Sequence, residues 1–533
     1  MMHRFKPLLL LAILSLFALF PAPALRATAQ GPCGVVDAID YPLPTDEYHV
    51  VYEYGVPSSR FDGRYHAGED WFGSRQGTYG TPVRAIARGR VTYAAPFGWG
   101  QDKGVVIIEH LMPDGTWWYS LYGHMEEVGE HTFPTVYTCV NKGDIIGAIG
   151  RPRPAPHLHL EIRNFGPDSP GPGYWATDPA YSGWRNPGKF IKNWQAWLNP
   201  AHLWHADIAD ETGPHFPAII RPDNAMIVYD DGRLRALNPA GQVLWRYVLA
   251  ETLDVVAVLP YDGAILVADS SGILQRWSLE GGFIEQWRLP SAEVDSVLLW
   301  QNLLIYRDRT SEELVALGPD RAERWRVPGI KTPVQIETTT TLLGIAAVRG
   351  ELTLVGPDGR VIDQRQLESN ARLAPAPDGS LIVFSDSLLW RVDAAGTWQP
   401  LGETPRVNRI TGGLFSLPDG RFLLYTGQPS QTLLAYGPDG SLQWQTTLDG
   451  RRGRPFLLPL ENDPLTGMRL VLADGSGAIT LLRADTGAIC GTLAVWGSRG
   501  AQAWAAVGPD GVLRVHIADQ VIGLDTRELG AGC

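Results

Sequence analysis

The chain has 533 residues, which at roughly 150 residues per domain predicts three or four domains, or fewer if one is a large β architecture. Hydrophobic residues make up 44% and charged residues 19% of the chain, which excludes a mainly disordered protein. The 59 glycines and 41 prolines predict many turns, and without a Gly-x-y period they exclude collagen. The net charge is −12 and lysine is rare. We therefore expect no nucleic-acid partner, because phosphate contacts need Lys and Arg.

The first thirty residues have the organisation of a secretory signal peptide. Arg4 and Lys6 form a short basic region, and an apolar run from Leu8 to Phe20 follows it. This run is shorter than a typical membrane span of about 20 residues, and Ala27-Thr28-Ala29 fits a small-residue cleavage site. Residues 1–29 are predicted to be a removable signal peptide, with an uncleaved membrane anchor as the alternative. We expect a secreted, extracytoplasmic protein that keeps no transmembrane anchor after cleavage.

Four cysteines are present, Cys33 and Cys139 in the N-terminal half and Cys490 and Cys533 in the C-terminal half. An even number in an oxidising compartment favours disulfides, and four cysteines allow three pairings. We predict Cys33–Cys139 and Cys490–Cys533, because each pair then stays within one domain. Four buried thiols are the alternative. The chain has no Cys-x-x-Cys motif, so a structural zinc ribbon is not expected.

Residues 83–162 consist of short β-prone segments separated by glycine and proline. The segments are 83–87, 91–93, 105–109, 117–122, 145–149 and 157–162. Short strands at close spacing predict an all-β core. The next stretch, 167–204, is rich in Pro, Gly and Trp and is interpreted as an ordered extension and linker. The first folded domain is therefore predicted to span 31–200.

From about His215 a repeat of about 40 residues begins. Each unit has an apolar strand, an Asp-Gly or similar turn, a second apolar strand, another turn, and a strand that often carries Trp. The position after the apolar strand recurs near 238, 279, 318, 356, 393, 437, 484 and 525. A period of this length with several strands per repeat predicts a β-propeller, in which stacked blades cover each other's faces. Residues 215–533 are predicted to form seven or eight blades, because one unit can be split to close the ring.

The repeat resembles the quinoprotein-like propeller family in its Ala-Leu…Gly…Trp pattern. Quinone-dependent dehydrogenases of that class carry a vicinal cysteine pair and acidic calcium ligands, whereas this chain has no Cys-Cys. The resemblance therefore implies a fold and a binding platform rather than a redox enzyme. The tryptophans of the repeat are interpreted as blade-packing residues rather than sugar-stacking residues.

Before the propeller, side chains able to bind a metal occur at two short spacings. His66 and Asp70 are four residues apart, and His157 and His159 are two residues apart. Two residues at that second spacing on a strand project from the same face. A hydrolytic zinc site needs about three protein ligands and one open position for water. Two imidazoles and one carboxylate meet this need, although either motif alone is a weak signal.

Residues 60–163 resemble the lysostaphin/LytM-type zinc endopeptidases, a family of murein hydrolases. The family landmarks occur in order as His66-Ala-Gly-Glu-Asp70-Trp71, Gly80-Thr-Pro-Val83 with Gly89-Arg-Val91, Tyr122-Gly-His124, Lys142-Gly-Asp-Ile-Ile-Gly147 and His157-Leu-His-Leu-Glu161-Ile-Arg163. The resemblance implies Zn²⁺ as the cofactor, with His66, Asp70 and His159 as metal ligands. It also implies His124 and His157 as catalytic residues beside the bound water. All five positions are filled, which disfavours a degenerate member that has lost its metal.

Two further residues and two loops qualify the resemblance. Glu161 is expected either to orient a histidine of the pair or to form a surface salt bridge, and Tyr122 is interpreted as a core tyrosine. Arg151-Pro-Arg-Pro-Ala-Pro156 replaces the Ser/Thr-Gly-rich turn usual in the family, and the loop before Lys142 is long and carries Cys139. In the family fold these loops line the substrate groove, so the departures bear on substrate choice more than on catalysis.

The resemblance implies an exported zinc metallo-endopeptidase that hydrolyses cross-link or stem peptides of bacterial cell-wall peptidoglycan, with the propeller as a docking module. The alternatives are a non-enzymatic LytM-type regulator that activates another wall hydrolase, and a protease of glycine-rich proteins outside the wall. Residues 31–200 carry a net charge of −4 and residues 201–533 a net charge of −11. The propeller therefore gains no long-range attraction to anionic wall polymers. A protein partner for it is at least as reasonable as a glycan.

Overall fold

The computed structural model divides the chain into two compact units. Unit 1 contains the described residues up to Asp37 together with Pro42–Arg185, and unit 2 contains Ala38–Tyr41 and Asn186–Cys533. The structure describes residues 32–74, 77–208, 215–250, 253–291, 293–367, 371–408, 412–427, 429, 431–448, 455–460, 467–498 and 501–533. The predicted signal peptide, 1–29, lies outside these residues.

Unit 1 is built from thirteen strands in its described part. They are β1 His49–Tyr52, β2 Pro57–Ser58, β3 Arg64–His66, β4 Glu69–Phe72, β5 Pro82–Arg84, β6 Gly89–Ala95, β7 Gly104–Leu111, β8 Trp117–Glu126, β9 Cys139–Val140, β10 Ile145–Ile149, β11 Leu158–Arg163, β12 Tyr174–Trp175 and β13 Trp184–Arg185. Short 3₁₀ turns lie at Ser59–Phe61, Gly100–Asp102 and Pro179–Ser182. The all-β prediction for this region is confirmed.

Ten of these strands form one antiparallel sheet. Its main path runs β1-β4-β11-β8-β7-β6-β9; β10 pairs with β5 and β8, and β13 pairs with β11. Strands β12, β3 and β2 form a separate small sheet. Residues 105–108 of β7 are fully buried. Their continuous apolar run is typical of a strand in the middle of a sheet. Strand β11 lies between β4 and β8, and this position brings distant parts of the sequence together.

Both predicted disulfides are present. Cys33 is bonded to Cys139 in unit 1, and Cys490 is bonded to Cys533 in unit 2. The alternative of four buried thiols is therefore wrong.

In its described residues, unit 2 contains eight four-stranded antiparallel sheets, called blades 1 to 8 below. Their strands are: blade 1, Ile219–Ile220, Met226–Asp230, Arg233–Leu237 and Val243–Val248; blade 2, Val255–Tyr261, Ala264–Asp269, Ile273–Trp277 and Phe283–Arg288; blade 3, Val294–Trp300, Leu303–Asp308, Glu313–Leu317 and Glu323–Val327; blade 4, Pro333–Thr338, Leu343–Ala347, Glu351–Val355 and Val361–Gln366; blade 5, Arg372–Pro375, Leu381–Ser385, Leu388–Val392 and Trp398–Glu403; blade 6, Gly413–Ser416, Phe422–Tyr425, Thr432–Tyr436 and Leu442–Thr447; blade 7, Phe456–Pro459, Arg469–Ala473, Ala478–Arg483 and Ile489–Ala494; blade 8, His202–Asp207, Ala503–Val507, Leu513–Ile517 and Gln520–Leu524.

Apolar clusters between successive blades close these sheets into a ring. Each neighbouring pair, from blades 1 and 2 through to blades 7 and 8, shares one buried cluster. A further cluster joins blade 8 to blade 1, where Trp504 and Val521 pack with Met226 and Val228. The propeller prediction is confirmed, and the described residues give eight blades rather than seven.

Tryptophans on outer strands pack against turn glycines of the next blade. A Cβ atom at Gly281 of blade 2 would lie 2.7 Å from the indole of Trp245 in blade 1. The same relation holds between Trp325 and Gly359, and the Trp325 indole N–H donates to the Pro357 carbonyl at 3.0 Å. These glycines also have positive φ, which residues with a side chain rarely adopt. The Trp and Gly of the repeat are thus two halves of one blade contact.

The boundary between the units lies earlier than the sequence indicates. The sequence places it between 200 and 215, because the Pro- and Trp-rich stretch looks like a linker. In the structure that stretch supplies helix α1, Pro187–Trp197, and the outer strand of blade 8, His202–Asp207. Helix α1 begins after Asn186, whose side chain accepts a hydrogen bond from the Lys189 N–H at 2.8 Å. A short helix α2, Thr526–Leu529, follows blade 8. No helix in the described part of the chain has the length and apolar character needed to cross a membrane.

Candidate metal centre and active-site cleft

Strand pairing in unit 1 brings the five predicted site residues to one place. Asp70 on β4 lies directly opposite His159 on β11, and His159 lies opposite Gly123 on β8, next to His124. His66 ends β3, and His157 immediately precedes β11. Side chains separated by up to 93 residues in the sequence therefore meet at one edge of the central strands.

Three potential ligand atoms converge in this cluster. His66 Nε2 lies 3.2 Å from Asp70 Oδ1 and 3.0 Å from His159 Nδ1, and His159 Nδ1 lies 3.0 Å from Asp70 Oδ1. Tetrahedral zinc bonds of about 2.0–2.1 Å would place neighbouring ligand atoms about 3.3 Å apart. These three side chains therefore have the chemistry and the spacing of a three-ligand zinc site.

Hydrogen bonds fix which nitrogen of each histidine points into the cluster. His66 Nδ1 donates to the Glu53 carbonyl oxygen at 3.1 Å, which turns Nε2 into the cluster. His159 Nε2 donates to Glu161 Oε1 at 3.0 Å, which turns Nδ1 into the cluster. Such outer partners set the tautomer and raise the basicity of a metal-binding imidazole. The two histidines are thus oriented for binding by the protein itself.

Glu161 is buried and accepts from more than one donor. Its other oxygen, Oε2, accepts a hydrogen bond from the Trp184 indole N–H at 2.9 Å and lies 3.5 Å from Arg163 Nη1. Both sequence interpretations of Glu161 therefore hold in part. It orients His159, and it also forms an ion pair, but that pair is buried rather than at the surface.

The ionisation of the cluster follows from these contacts. Burial alone raises the pKa of Asp70, but hydrogen bonds from His159 and His66 outweigh it and hold that pKa well below its usual range. Burial alone lowers the pKa of His159, whereas Asp70 and Glu161 raise it to a net value of about 9. The cluster thus keeps a carboxylate in its charged form, as a cation-binding site requires.

His124 and His157 face each other beside this cluster, with ring centroids 4.4 Å apart. His124 Nδ1 donates to the Asp102 carbonyl at 2.7 Å, and His157 Nδ1 donates to the Ala155 carbonyl at 2.8 Å. Each ring therefore directs Nε2 away from these carbonyls, and His157 Nε2 lies 3.6 Å from Asp70 Oδ2. Burial, and then the charges of His157 and His159, lower the pKa of His124 to about 3, so its ring is neutral at pH 7.

A cleft of about 310 Å³ opens over the histidines. Its walls come from several loops, and the lining residues are Arg60, Phe61, Asp70, Trp99, Asp102, His124, Arg153, Pro154, His157, His159, Pro172, Gly173 and Tyr174. The Arg151–Pro156 loop, where the sequence departs from the family pattern, supplies two of them. Four of the five predicted site residues line the cleft, whereas His66 is fully buried beneath it.

Trp99 is a site residue that the sequence analysis missed. Its ring packs edge-on against His124 and His159, with centroid distances of 5.1 and 5.2 Å, and its indole N–H donates to the Gly171 carbonyl at 2.7 Å. A Cβ atom at Gly123 would collide with this ring. The glycine in Tyr122-Gly-His124 was therefore the available signal that a large group covers this position.

Gly68 and Tyr122 support the site from below. A Cβ atom at Gly68 would collide with the Leu160 carbonyl oxygen and lie 2.8 Å from His159 Nε2, so only glycine allows β4 and β11 this close. Tyr122 is fully buried, and its hydroxyl accepts from the Ile86 N–H at 2.9 Å. The interpretation of Tyr122 as a core residue agrees with this position.

Residues 64–170 match the sequence model of Peptidase family M23. Unit 1 contains a LytM-type Peptidase M23 domain. The matched M23 residues include all five predicted site positions. The match supports a peptidase of the cell-wall hydrolase type, or a related function, for this domain. It also supports a metal-dependent family chemistry, for which the His-Asp-His cluster is the matching structural feature.

No curated protein sequence matches the chain. Among solved structures, the computationally designed protein Ika8 has a TM-score of 0.48 at 11% identity, covering 61% of this chain and 99% of its own. BamB from Moraxella catarrhalis has a TM-score of 0.43 at 15% identity, covering 61% and 99%. A streptogramin B lyase has a TM-score of 0.40 at 12% identity, covering 62% and 98%. The propeller assignment rests on the blades and clusters of this chain and not on these similarities.

Proposed function

We propose that the protein is an exported zinc metallo-endopeptidase that hydrolyses peptide bonds in bacterial cell-wall peptidoglycan. The observation that carries the proposal is the convergence of His66 Nε2, Asp70 Oδ1 and His159 Nδ1 beneath an open cleft. All three would hold Zn²⁺. A zinc ion bound there supplies Lewis-acid chemistry, polarising a peptide carbonyl and lowering the pKa of water.

His124 and His157 would handle the proton of the reaction. Because each donates its Nδ1 proton to a main-chain carbonyl, each keeps an Nε2 lone pair. An Nε2 at this position takes a proton from the attacking water and returns it to the leaving amine nitrogen. The low pKa of His124 keeps it in the acceptor form at neutral pH. Trp99, packed on His124 and His159, limits the access of bulk water to this proton.

The propeller would serve as a docking module for a wall component or a protein partner. Its eight blades are joined by apolar clusters, and residues 201–533 carry a net charge of −11. Acidic charge does not attract anionic wall polymers. This favours a protein partner over a glycan for the propeller.

Export of the protein is supported by its cysteine chemistry. Both Cys33–Cys139 and Cys490–Cys533 are disulfide-bonded, and such bonds persist in oxidising compartments outside the cytosol. The signal-like sequence at 1–29 agrees with this location.

Zinc content and wall hydrolysis by the purified protein test the proposal. Wild-type protein is expected to hold one zinc ion and to release new amine ends from purified peptidoglycan. His66→Ala removes a buried ligand, and we expect loss of zinc and at least about a thousandfold loss of hydrolysis. His49→Ala, an exposed histidine on β1, is the matched control and should leave both unchanged.

Two results would overturn this function. If His66→Ala hydrolyses wall peptides as fast as wild type, the zinc mechanism is wrong. If zinc-loaded wild type releases no amine ends from peptidoglycans of any cross-bridge type, wall hydrolysis is wrong, and a regulator of another hydrolase or a protease of glycine-rich proteins outside the wall takes its place.

A further inference from the structure

Two arginines stand together at the rim of the cleft. Arg60 and Arg153 both line it, and Arg60 Nη1 lies 3.5 Å from the main-chain carbonyl oxygen of Arg153. They come from segments more than 90 residues apart in the sequence, the 3₁₀ turn Ser59–Phe61 and the proline-rich loop before His157. The fold thus brings two arginines to the same cleft of a domain with a net negative charge.

Neither guanidinium is neutralised by a carboxylate of the described residues. Arg153 Nη2 donates to the uncharged Gln101 side chain at 3.0 Å, and Arg60 lies 5.4 Å from the Phe61 ring centroid. Some other arginines of unit 1 do pair with a carboxylate. Arg88 lies 2.9 Å from Asp37, and Arg90 lies 2.8 Å from Glu109. A guanidinium without a carboxylate partner can form charge-assisted hydrogen bonds to a carboxylate of a ligand.

The acidic groups of the cleft do not fill this role. Asp70 is committed to His66 and His159. Asp102 holds His124 through its main-chain carbonyl, and within the described residues its carboxylate forms no ion pair with either arginine. Most of the donors on the two guanidinium groups therefore remain available to a ligand in the cleft, and each group can bind a carboxylate with two parallel hydrogen bonds.

The remaining walls suit a peptide chain rather than a highly charged polymer. Phe61 and Tyr174 stack with their ring centroids 4.0 Å apart, and Trp99 and Pro154 complete an apolar surface around the histidines. Arg60 and Arg153 are the two arginines among these lining residues, and they can recognise a single anionic group on a substrate that is otherwise bound through apolar and main-chain contacts.

We infer that Arg60 and Arg153 form a carboxylate-binding subsite that selects acidic peptides, those with a free carboxylate close to the scissile bond. This inference rests on the proposed hydrolase function and narrows its substrate class. It separates acidic stem peptides, which the subsite would bind, from polyglycine bridges, which offer no side-chain carboxylate. The sequence Arg151-Pro-Arg-Pro-Ala-Pro156 thus gains a role in the choice of substrate.

Paired peptides test the subsite on the full-length, zinc-loaded protein. The probes are two cross-linked stem peptides, identical except that the carboxylates of one are converted to carboxamides. Wild type is expected to cleave the carboxylate peptide with a kcat/KM about tenfold higher, mainly through a lower KM. Arg60→Gln and Arg153→Gln should each lower the ratio of kcat/KM for the carboxylate peptide to that for the carboxamide peptide toward one.

Arg151→Gln is the matched control. This arginine belongs to the same loop, but its guanidinium lies 4.1 Å from the Tyr79 ring centroid and does not line the cleft. It should keep the wild-type preference. Arg153→Lys keeps the charge without the planar fork and is expected to restore part of the preference, which excludes a purely structural effect of the glutamine substitution.

The outcomes separate the two claims. Equal cleavage of both peptides by wild type overturns the subsite and leaves the hydrolase function intact. If neither peptide is cleaved, the hydrolase function fails, and the dissociation constants of the same two peptides decide the subsite. Equal dissociation constants overturn the subsite. Tighter binding of the carboxylate peptide by wild type supports the subsite, provided that Arg153→Gln abolishes this difference.

Discussion

Both units of this protein bury polar side chains, but they arrange them differently. Unit 1 places four polar side chains with little or no exposure, His66, His159, Glu161 and Arg163, in one connected network. Unit 2 has one apolar cluster between each blade and its neighbour. Unit 2 also buries charged side chains, such as Asp230, Arg307 and Arg514, but these lie in separate blades, whereas those of unit 1 meet at the candidate metal site. Buried polar groups are costly unless each is satisfied. The function of unit 1 therefore depends on a few atoms, whereas the stability of unit 2 is spread over many similar contacts.

The largest expected effect comes from the closest approach in unit 1. Gly68→Ala places a methyl group against the Leu160 carbonyl oxygen and His159 Nε2. The Leu160 oxygen belongs to the main chain of β11, so it can move away only if the strand is displaced. We expect at least about a hundredfold loss of zinc affinity and of hydrolysis. Zinc titration and amine release measure it. The control in unit 2 is Gly282→Ala, where the nearest atom, Ser278 Oγ, would lie 3.4 Å away. Equal losses in both variants would show that the two units do not differ as described.

A substitution that shortens a buried side chain of the propeller should lower stability and leave zinc affinity unchanged. Leu481 is fully buried in the cluster between blades 7 and 8, and Leu481→Ala is expected to destabilise unit 2 by about 2–5 kcal/mol. Leu442→Ala, at a side chain that is 51% exposed, should change stability by less than about 0.5 kcal/mol. Denaturant unfolding measures both. Zinc affinity should stay at the wild-type value, and a loss comparable to that of Gly68→Ala would contradict separate roles for the units.

The stability of unit 1 should depend on pH through His110. This side chain donates from Nδ1 to the Arg88 carbonyl at 2.8 Å and lies 2.7 Å from Ser120 Oγ. Burial lowers the pKa of His110 to about 4 from an ordinary value of 6.5. The unfolded chain therefore binds this proton at a higher pH than the folded chain does. The buried, neutral His110 therefore contributes about 3 kcal/mol to the free energy of unfolding above pH 6.5. This contribution is lost as the pH falls toward 4.

His110→Gln cannot titrate and tests this dependence. Between pH 6.5 and 4 the free energy of unfolding of unit 1 should fall less steeply in the variant than in wild type. Identical slopes would assign the acid sensitivity of unit 1 to other groups. The propeller transition should have the same slope in both proteins, because His110 belongs to unit 1.

The smallest expected effect comes from changing Glu161, the hydrogen-bond partner of the candidate metal-binding residue His159. Glu161→Gln keeps an oxygen that can accept from His159 Nε2 but removes the charge that raises its basicity. We expect zinc affinity to fall about 10- to 100-fold. Glu109→Gln, on β7, breaks an ion pair with Arg90 on β6 and is the control that should leave zinc affinity unchanged. A Glu161→Gln protein with wild-type zinc affinity would reduce Glu161 to a packing role.

Local patterns in the sequence determined much of this protein. Turns, strand alternation and a period of about 40 residues predict the all-β class and the propeller, because each blade repeats the same contacts. The spacing of His66, Asp70, His157 and His159 indicated the ligand-bearing segments, because short motifs carry ligand chemistry within a few residues. Both disulfides could be predicted from the rule that each stays within one domain.

Long-range contacts were decided by the tertiary structure alone. The ring closes through His202–Asp207, a strand taken from the apparent linker, and this fixes eight blades. Trp99 reaches the histidines only because Gly123, in another strand, leaves room for its ring. Arg60 and Arg153 become neighbours only after the two loops fold over the same cleft. Sequence patterns report on residues that are close along the chain, whereas these contacts depend on how strands pair and loops pack across the whole domain.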